Sequence, residues 1–349
     1  MRSECSAAVL LAFLSSFAWA EPNAPAKCPN EPPPIVCAHP TIPCFIPEKW
    51  PNAERTADEI ATLFQTRQFC RLEKALDEVL SSEKRFKSGS RPAAAAYMAF
   101  QMILSTNNYS EGYAGVIEEW RSAYPNSIYV PFAQARQAYA AAWAVRGSHW
   151  ASEVPKEAWE LFALRLQESE KILLDAPPAL KATTLWHHML LTVALDSDRL
   201  QSRPDQVFAE AVKRWPDYYA FYDLVISRLT PRWHGTWEQV DAFIDYWTRQ
   251  QAAREGTSLY ARLYMHLFGL GYSPQEVKAD TRRMIASFAD LAARYPDPGW
   301  KNLRASYACL SRDKQAFTDA IKGLPSGEVM PAVWLQGYSY DGCMRWAGI

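Results

Sequence analysis

Arg214-Trp215-Pro216-Asp217 and Arg294-Tyr295-Pro296-Asp297 are two copies of one joint, and the interval between them decides the fold. They belong to a series of anchors, Pro177, Pro216, Gly256 and Pro296, spaced 39, 40 and 40 residues apart. An amphipathic helical stretch precedes each anchor, and an aromatic-rich helical stretch follows it. A weak repeat of this length is the signature of stacked helical hairpins. In the joint, the proline stops one helix and the Asn or Asp is placed to cap the next. The aromatic before the proline is placed to wedge between neighbouring hairpins. Ala123-Tyr124-Pro125-Asn126 is a third copy, but Pro125 precedes Pro177 by 52 residues. The surplus falls around Arg146-Gly147-Ser148-His149-Trp150, and insertions in such arrays collect on one face, often the working one.

Working outward, Thr56-x-x-Glu59 has the pattern of a capping box that opens the helical region. Ile60, Leu63 and Phe64 form one apolar stripe, and Leu72, Leu76, Val79 and Leu80 form the next. Residues 81–91 are polar and read as a loop. Helices are expected over 92–105, 110–123, 127–146, 155–175, 178–195, 204–215, 217–229, 236–254, 257–269, 274–295, 299–310 and 313–322. No stretch sustains period-two alternation, so the expected class is all-α, a solenoid of hairpins.

The first twenty residues have the form of a secretory signal: Arg2, an apolar run from Ala7 to Phe17, then Ala18-Trp19-Ala20. The run is too short to span a membrane. The expected organisation is a signal over 1–20, an arm over 21–54 and a helical-repeat domain over 55–349. Ten of the 24 prolines fall within 22–51, which excludes a helix there. Cys28, Cys37 and Cys44 lie in the same segment, at spacings that match no common zinc pattern. An exported chain with six cysteines after the signal is expected to form disulfides. Cys309 with Cys343 is the favoured pair because both fall in the last helical unit, and Cys70 is placed to tie the arm to the first helices. A net charge of −1 without basic or acidic runs argues against nucleic acid or an anionic membrane as partner.

Three groups of residues carry a family resemblance. The first is Ala142-Trp143-Ala144-Val145-Arg146-Gly147 with Val154 and Phe162-Ala163-x-Arg165-Leu166. The second is Pro216-Asp217-Tyr218-Tyr219 leading to Pro231-Arg232-Trp233-His234-Gly235-Thr236-Trp237. The third is Ala308-Cys309-Leu310-x-x-Asp313 with Cys343-x-x-Trp346-Ala347. Together they resemble a bacterial family of tetratricopeptide-like helical proteins of unknown function, over residues 60 to 347, with Pro-Arg-Trp-x-Gly as the most specific motif. The resemblance implies a bacterial, periplasmic protein with a right-handed α-α superhelix. It brings no catalytic residues.

The 231–235 segment is the sharpest local signal. One reading is a tight turn, with the Arg232 guanidinium on helix carbonyls and Trp233 packed beneath it. The other is an anion or carboxylate site made by Arg232, Trp233, His234 and Trp237 with Arg146 and His149 of the insertion. The second reading requires both loops on one edge. His187 and His188 are adjacent on a helix, so one is expected to pack and the other to face solvent; neither suggests a metal site. His266 reads as a core or groove histidine. Glu118, Glu119, Glu168 and Glu170 fit solvated helix faces. Metalloprotease, nucleophile-elbow, phosphate-loop and dinucleotide patterns are missing from the sequence. No catalytic residue, metal ligand or cofactor is therefore assigned. The functional expectation is a scaffold that holds a protein or peptide partner of the cell envelope in a concave groove, without membrane insertion. The alternatives are a small-ligand or glycan module at the Arg232 turn and an envelope hydrolase.

Overall fold

The computed structural model describes residues 52–105, 111–335 and 337–349, all within one compact unit. The expected signal and nearly all of the arm lie outside the described residues. Those residues contain eighteen α-helices and no strand. The first four are α1 (Ala53–Gln65), α2 (Phe69–Ser81), α3 (Ala93–Ile103) and α4 (Glu111–Ala123). Next come α5 (Val130–Arg146), α6 (Lys156–Leu174), α7 (Pro178–Lys181), α8 (Thr184–Ala194) and α9 (Pro204–Arg214). Then follow α10 (Ala220–Arg228), α11 (Trp237–Gln250), α12 (Ala252–Glu255), α13 (Ser258–Gly269) and α14 (Pro274–Val277). The series ends with α15 (Thr281–Arg294), α16 (Pro298–Leu310), α17 (Lys314–Lys322) and α18 (Tyr340–Ala347). None of these helices is long and apolar enough to cross a membrane.

Each helix packs mainly on elements one or two along the chain: α1 on α2 and α3, α5 on α6, α8 on α9, α13 on α15, α15 on α16 and α16 on α17. Amphipathic stripes explain the outer members. In α2 the apolar positions Leu72, Leu76 and Val79 are all buried. α8 is different, being buried on nearly every face, with neighbours α3, α5, α6, α9 and α10. Alanines at 133, 135, 138, 140, 141 and 142 let α5 approach α6 closely. There the Ser169 hydroxyl donates to the Ala135 carbonyl at 2.8 Å, which satisfies a buried donor.

Several expectations shift on inspection. Asn52, not Thr56, caps α1 by accepting from the Arg55 amide; Thr56 is buried one turn in. Proline-started short turns split the expected 178–195 and 274–295 helices, and Gln251 interrupts 236–254. Of the joint residues, Asp297 does cap α16, through the Gly299 amide. Asp217 caps nothing and is spent on arginines instead. α18 lies beyond the last helix expected from the sequence, 313–322. Its connection to α16 is fixed by Asn302, which donates to the Pro298 and Glu328 carbonyls and accepts from the Met330 amide and the Trp334 indole. The Cys309–Cys343 disulfide closes the same region, with Cα atoms 5.9 Å apart. Cys70 on α2 is disulfide-bonded too, but its expected link to the arm falls outside the described residues.

Candidate functional site

The loop over 82–92, between α2 and α3, reaches the joints of the later helices. Arg85 Nη2 donates to Asp217 at 2.6 Å; its Nη1 donates to Glu255 at 3.2 Å and to the Tyr295 hydroxyl at 2.8 Å. Asp217, Glu255 and Tyr295 sit at the anchors near 216, 256 and 296. One guanidinium thus bridges three successive joints of the forty-residue series. Arg91 adds a second cation on Asp217, at 2.8 Å. Gly89, with φ 90°, lies where a Cβ would run into the Tyr295 ring and the Arg262 guanidinium, so the loop passes the joints at glycine distance.

Ser88, Ser90 and Arg91 of this loop form part of the wall of a groove of about 920 Å³. The other walls come from α3, α5, α8, α10, α13 and α16. Near the α5 side, His188 stacks on Tyr97 and its Nδ1 lies 2.9 Å from the Tyr218 hydroxyl. Burial, and then the Arg136 charge beside it, push the His188 imidazole down to about 3, so the ring is neutral. Arg136 is only 6 % exposed. Its Nε is buried without a hydrogen-bond partner among the described residues, and its guanidinium lies over the Tyr139 ring, 5.1 Å from the centroid.

Beside it, Asp196 binds the Arg228 guanidinium and accepts from the Tyr139 hydroxyl at 2.7 Å and the Trp143 indole at 2.8 Å. Burial pushes the Tyr139 hydroxyl up to about 12. Arg228 also lies over the Trp233 ring at 3.9 Å. Leu195, Arg228 and Trp233 continue into a smaller pocket of about 220 Å³, walled by Trp143, Trp159, Phe162 and Arg146.

At the α13 side, Arg262 donates to the Ser88 carbonyl at 2.6 Å and stacks on Tyr219, Tyr295 and Trp300. Burial raises the Asp223 carboxyl against the pull of His266 and Arg262. His266 Nε2 is 2.8 Å from the Ser227 hydroxyl, and its Nδ1 is 3.8 Å from Asp223. These residue types are those of a nucleophilic triad. However, the Ser227 proton is donated to the Asp223 carbonyl one turn back, and the histidine–aspartate gap exceeds a hydrogen bond. The arrangement ties α10 to α13.

The sequence-selected residues divide between two environments. Arg146 and Trp233 come together on the small pocket, and Trp143 meets Trp233 edge-on at 6.1 Å, so the two loops do share an edge. Arg146 donates to the Gly147 and His149 carbonyls, closing its own loop. His149 is exposed and lies 3.8 Å from Glu153. Arg232 and His234 are exposed and line neither pocket, while Trp237 packs on Tyr272. The arginine over Trp233 is Arg228, not Arg232. α10 ends at Arg228, and the 3-10 turn Pro231–Trp233 carries Arg232 outward. His187 and His188 are both buried, contrary to the expected split, because α8 has no solvent face. His266 does line the groove. Glu170 is buried, not solvated: it accepts from the Gln201 and Ser202 amides. Among the described residues no group of three His, Cys, Asp or Glu is arranged to hold a metal ion.

Residues 56–202 match the model of a family described only as a domain of unknown function, DUF4034. No curated protein and no solved structure matches the chain. The match covers α1 to α8 and therefore Tyr97, Arg136 and His188. The Pro231 turn, α10 and α13 lie beyond it.

Proposed function

We propose that the chain is an exported, tetratricopeptide-like binding protein of the bacterial periplasm whose groove takes an extended peptide segment. The observation that carries this reading is the groove itself: about 920 Å³, walled by six helices plus the 82–92 loop. Its lining combines tyrosine and tryptophan rings with Arg91, Arg136, Arg228 and Arg262, a composition suited to anchoring peptide side chains. The forty-residue series of joints supports a superhelix of hairpins, an architecture that works through its concave surface. The signal-like N-terminus and the Cys309–Cys343 disulfide support export.

The test is fluorescence anisotropy of the mature chain with pools of dye-labelled octapeptides. Saturable binding is expected, and Ala94→Trp or Ala220→Trp should abolish it, because both small side chains line the groove and are partly open to it. Failure of every pool to bind the wild-type chain, or binding that survives both obstructions, would overturn the reading.

A further inference from the structure

Buried cations in folded proteins are compensated by carboxylates or hydrogen-bonded to carbonyls, because an isolated charge in a low-dielectric setting is costly. Arg136 breaks that rule. It is 94 % buried and lines the groove, its Nε is buried with no hydrogen-bond partner, and among the described residues no ion pair reaches its guanidinium. The charged neighbours do not compensate it. Asp196 is committed to Arg228, the Tyr139 hydroxyl and the Trp143 indole. Asp223 faces His266 and Arg262 at the α13 side. His188 is neutral, and the Tyr97 and Tyr218 hydroxyls face Thr192 and His188. One positive charge is left over on this side of the groove.

We propose that Arg136 is a carboxylate-binding subsite that takes one anionic end of the bound peptide; this rests on the peptide-groove reading above. A single surplus charge matches a monoanion, and the planar guanidinium fork matches the two oxygens of a carboxylate. The flanking Tyr97 and Tyr139 rings and the Met98 side chain form an apolar collar for the residue that carries it. The carboxylate comes either from the peptide's C-terminus or from an Asp or Glu side chain.

The experiment uses three N-acetylated pentapeptides of otherwise identical alanine–phenylalanine sequence: a free acid, its C-terminal amide, and an amide with one internal Glu. Each is titrated calorimetrically into wild-type, Arg136→Met and Arg136→Lys proteins. The expected result is that the free acid or the Glu amide binds wild type at least about tenfold tighter than the plain amide, about 1.4 kcal/mol, within the range of a charged hydrogen bond. The tighter of the two assigns the source of the carboxylate. Arg136→Met should erase that preference without weakening the plain amide, and Arg136→Lys should keep part of it. Because Met removes an uncompensated charge, Arg136→Met should also melt no lower than wild type, whereas a structural arginine would leave a destabilised variant. If all three peptides bind wild type equally, or Arg136→Met retains the preference, the carboxylate subsite is wrong while the groove reading stands. If none binds, both fall.

Discussion

Replacing Arg85 by Ala removes the cation that is paired with carboxylates of two joints and donates to the tyrosine of a third. Its partners are costly to abandon: Asp217 and Glu255 are each 1 % exposed, and Arg85 itself is 25 % exposed. Asp217 keeps Arg91 at 2.8 Å, so its charge stays compensated. Glu255 loses the cation it pairs with among the described residues and retains two neutral donors, the Tyr295 hydroxyl at 2.8 Å and the Ser258 hydroxyl at 3.1 Å. Breaking a buried pair from one side costs about 3–5 kcal/mol, and the remaining donors place the expected loss toward the lower end. Glu255→Gln in the Arg85→Ala background removes the orphaned charge, so the double variant should recover about 1–2 kcal/mol of the loss. Urea denaturation followed by tryptophan fluorescence measures this as a lower midpoint at unchanged slope. A loss below about 1 kcal/mol for Arg85→Ala, or strict additivity of the two substitutions, would refute the view that this guanidinium holds the joints together.

Two other outcomes follow from the same structure. His188 has its folded pKa lowered to about 3, against an unfolded value near 6.5, so the unfolded chain binds the extra proton between those limits. Stability from this site is complete above about pH 6.5 and falls by about 4–5 kcal/mol as pH drops toward 3. His188→Asn should flatten that part of the curve in chemical denaturation run as a pH series; an unchanged slope would show that the imidazole does not titrate on unfolding. Removing the disulfide with Cys309→Ala and Cys343→Ala frees a 34-residue loop and should cost about 3–4 kcal/mol. Hydrogen exchange should localise the loss to α16–α18, and faster exchange spread evenly over all helices would contradict a local clamp.

Helices were legible because their stripes are local. The anchors at 216, 256 and 296 were legible because proline and glycine interrupt helices whatever the tertiary setting. The groove was only partly legible. Trp233 stood out, yet its neighbour in sequence, Arg232, drew attention that belonged to Arg228. The direction of each depends on where α10 stops, and helix ends are poorly marked by composition. Arg136 lies in an alanine-rich helix whose other charged residue is the terminal Arg146. An isolated charge on so apolar a helix was the available signal. Arg85 offered none, since a polar loop gives no hint of carboxylates more than a hundred positions away. Glu170 and His187 were misjudged for one reason: a helix face that meets solvent in a single hairpin is covered when the next one stacks on it.

The Arg85 contacts also set an order of events. They join residues separated by 132, 170 and 210 positions, in a chain most of whose helices meet near neighbours. Hairpins with local contacts form early, whereas closing loops of this length adds entropy cost and slows the step that makes them. As the chain emerges from its N-terminus, the 82–92 loop must wait until Tyr295 has been delivered before all its partners exist. The part of the groove wall that the 82–92 loop supplies is therefore fixed late, and a chain interrupted before residue 295 would contain most of its helices but no finished groove.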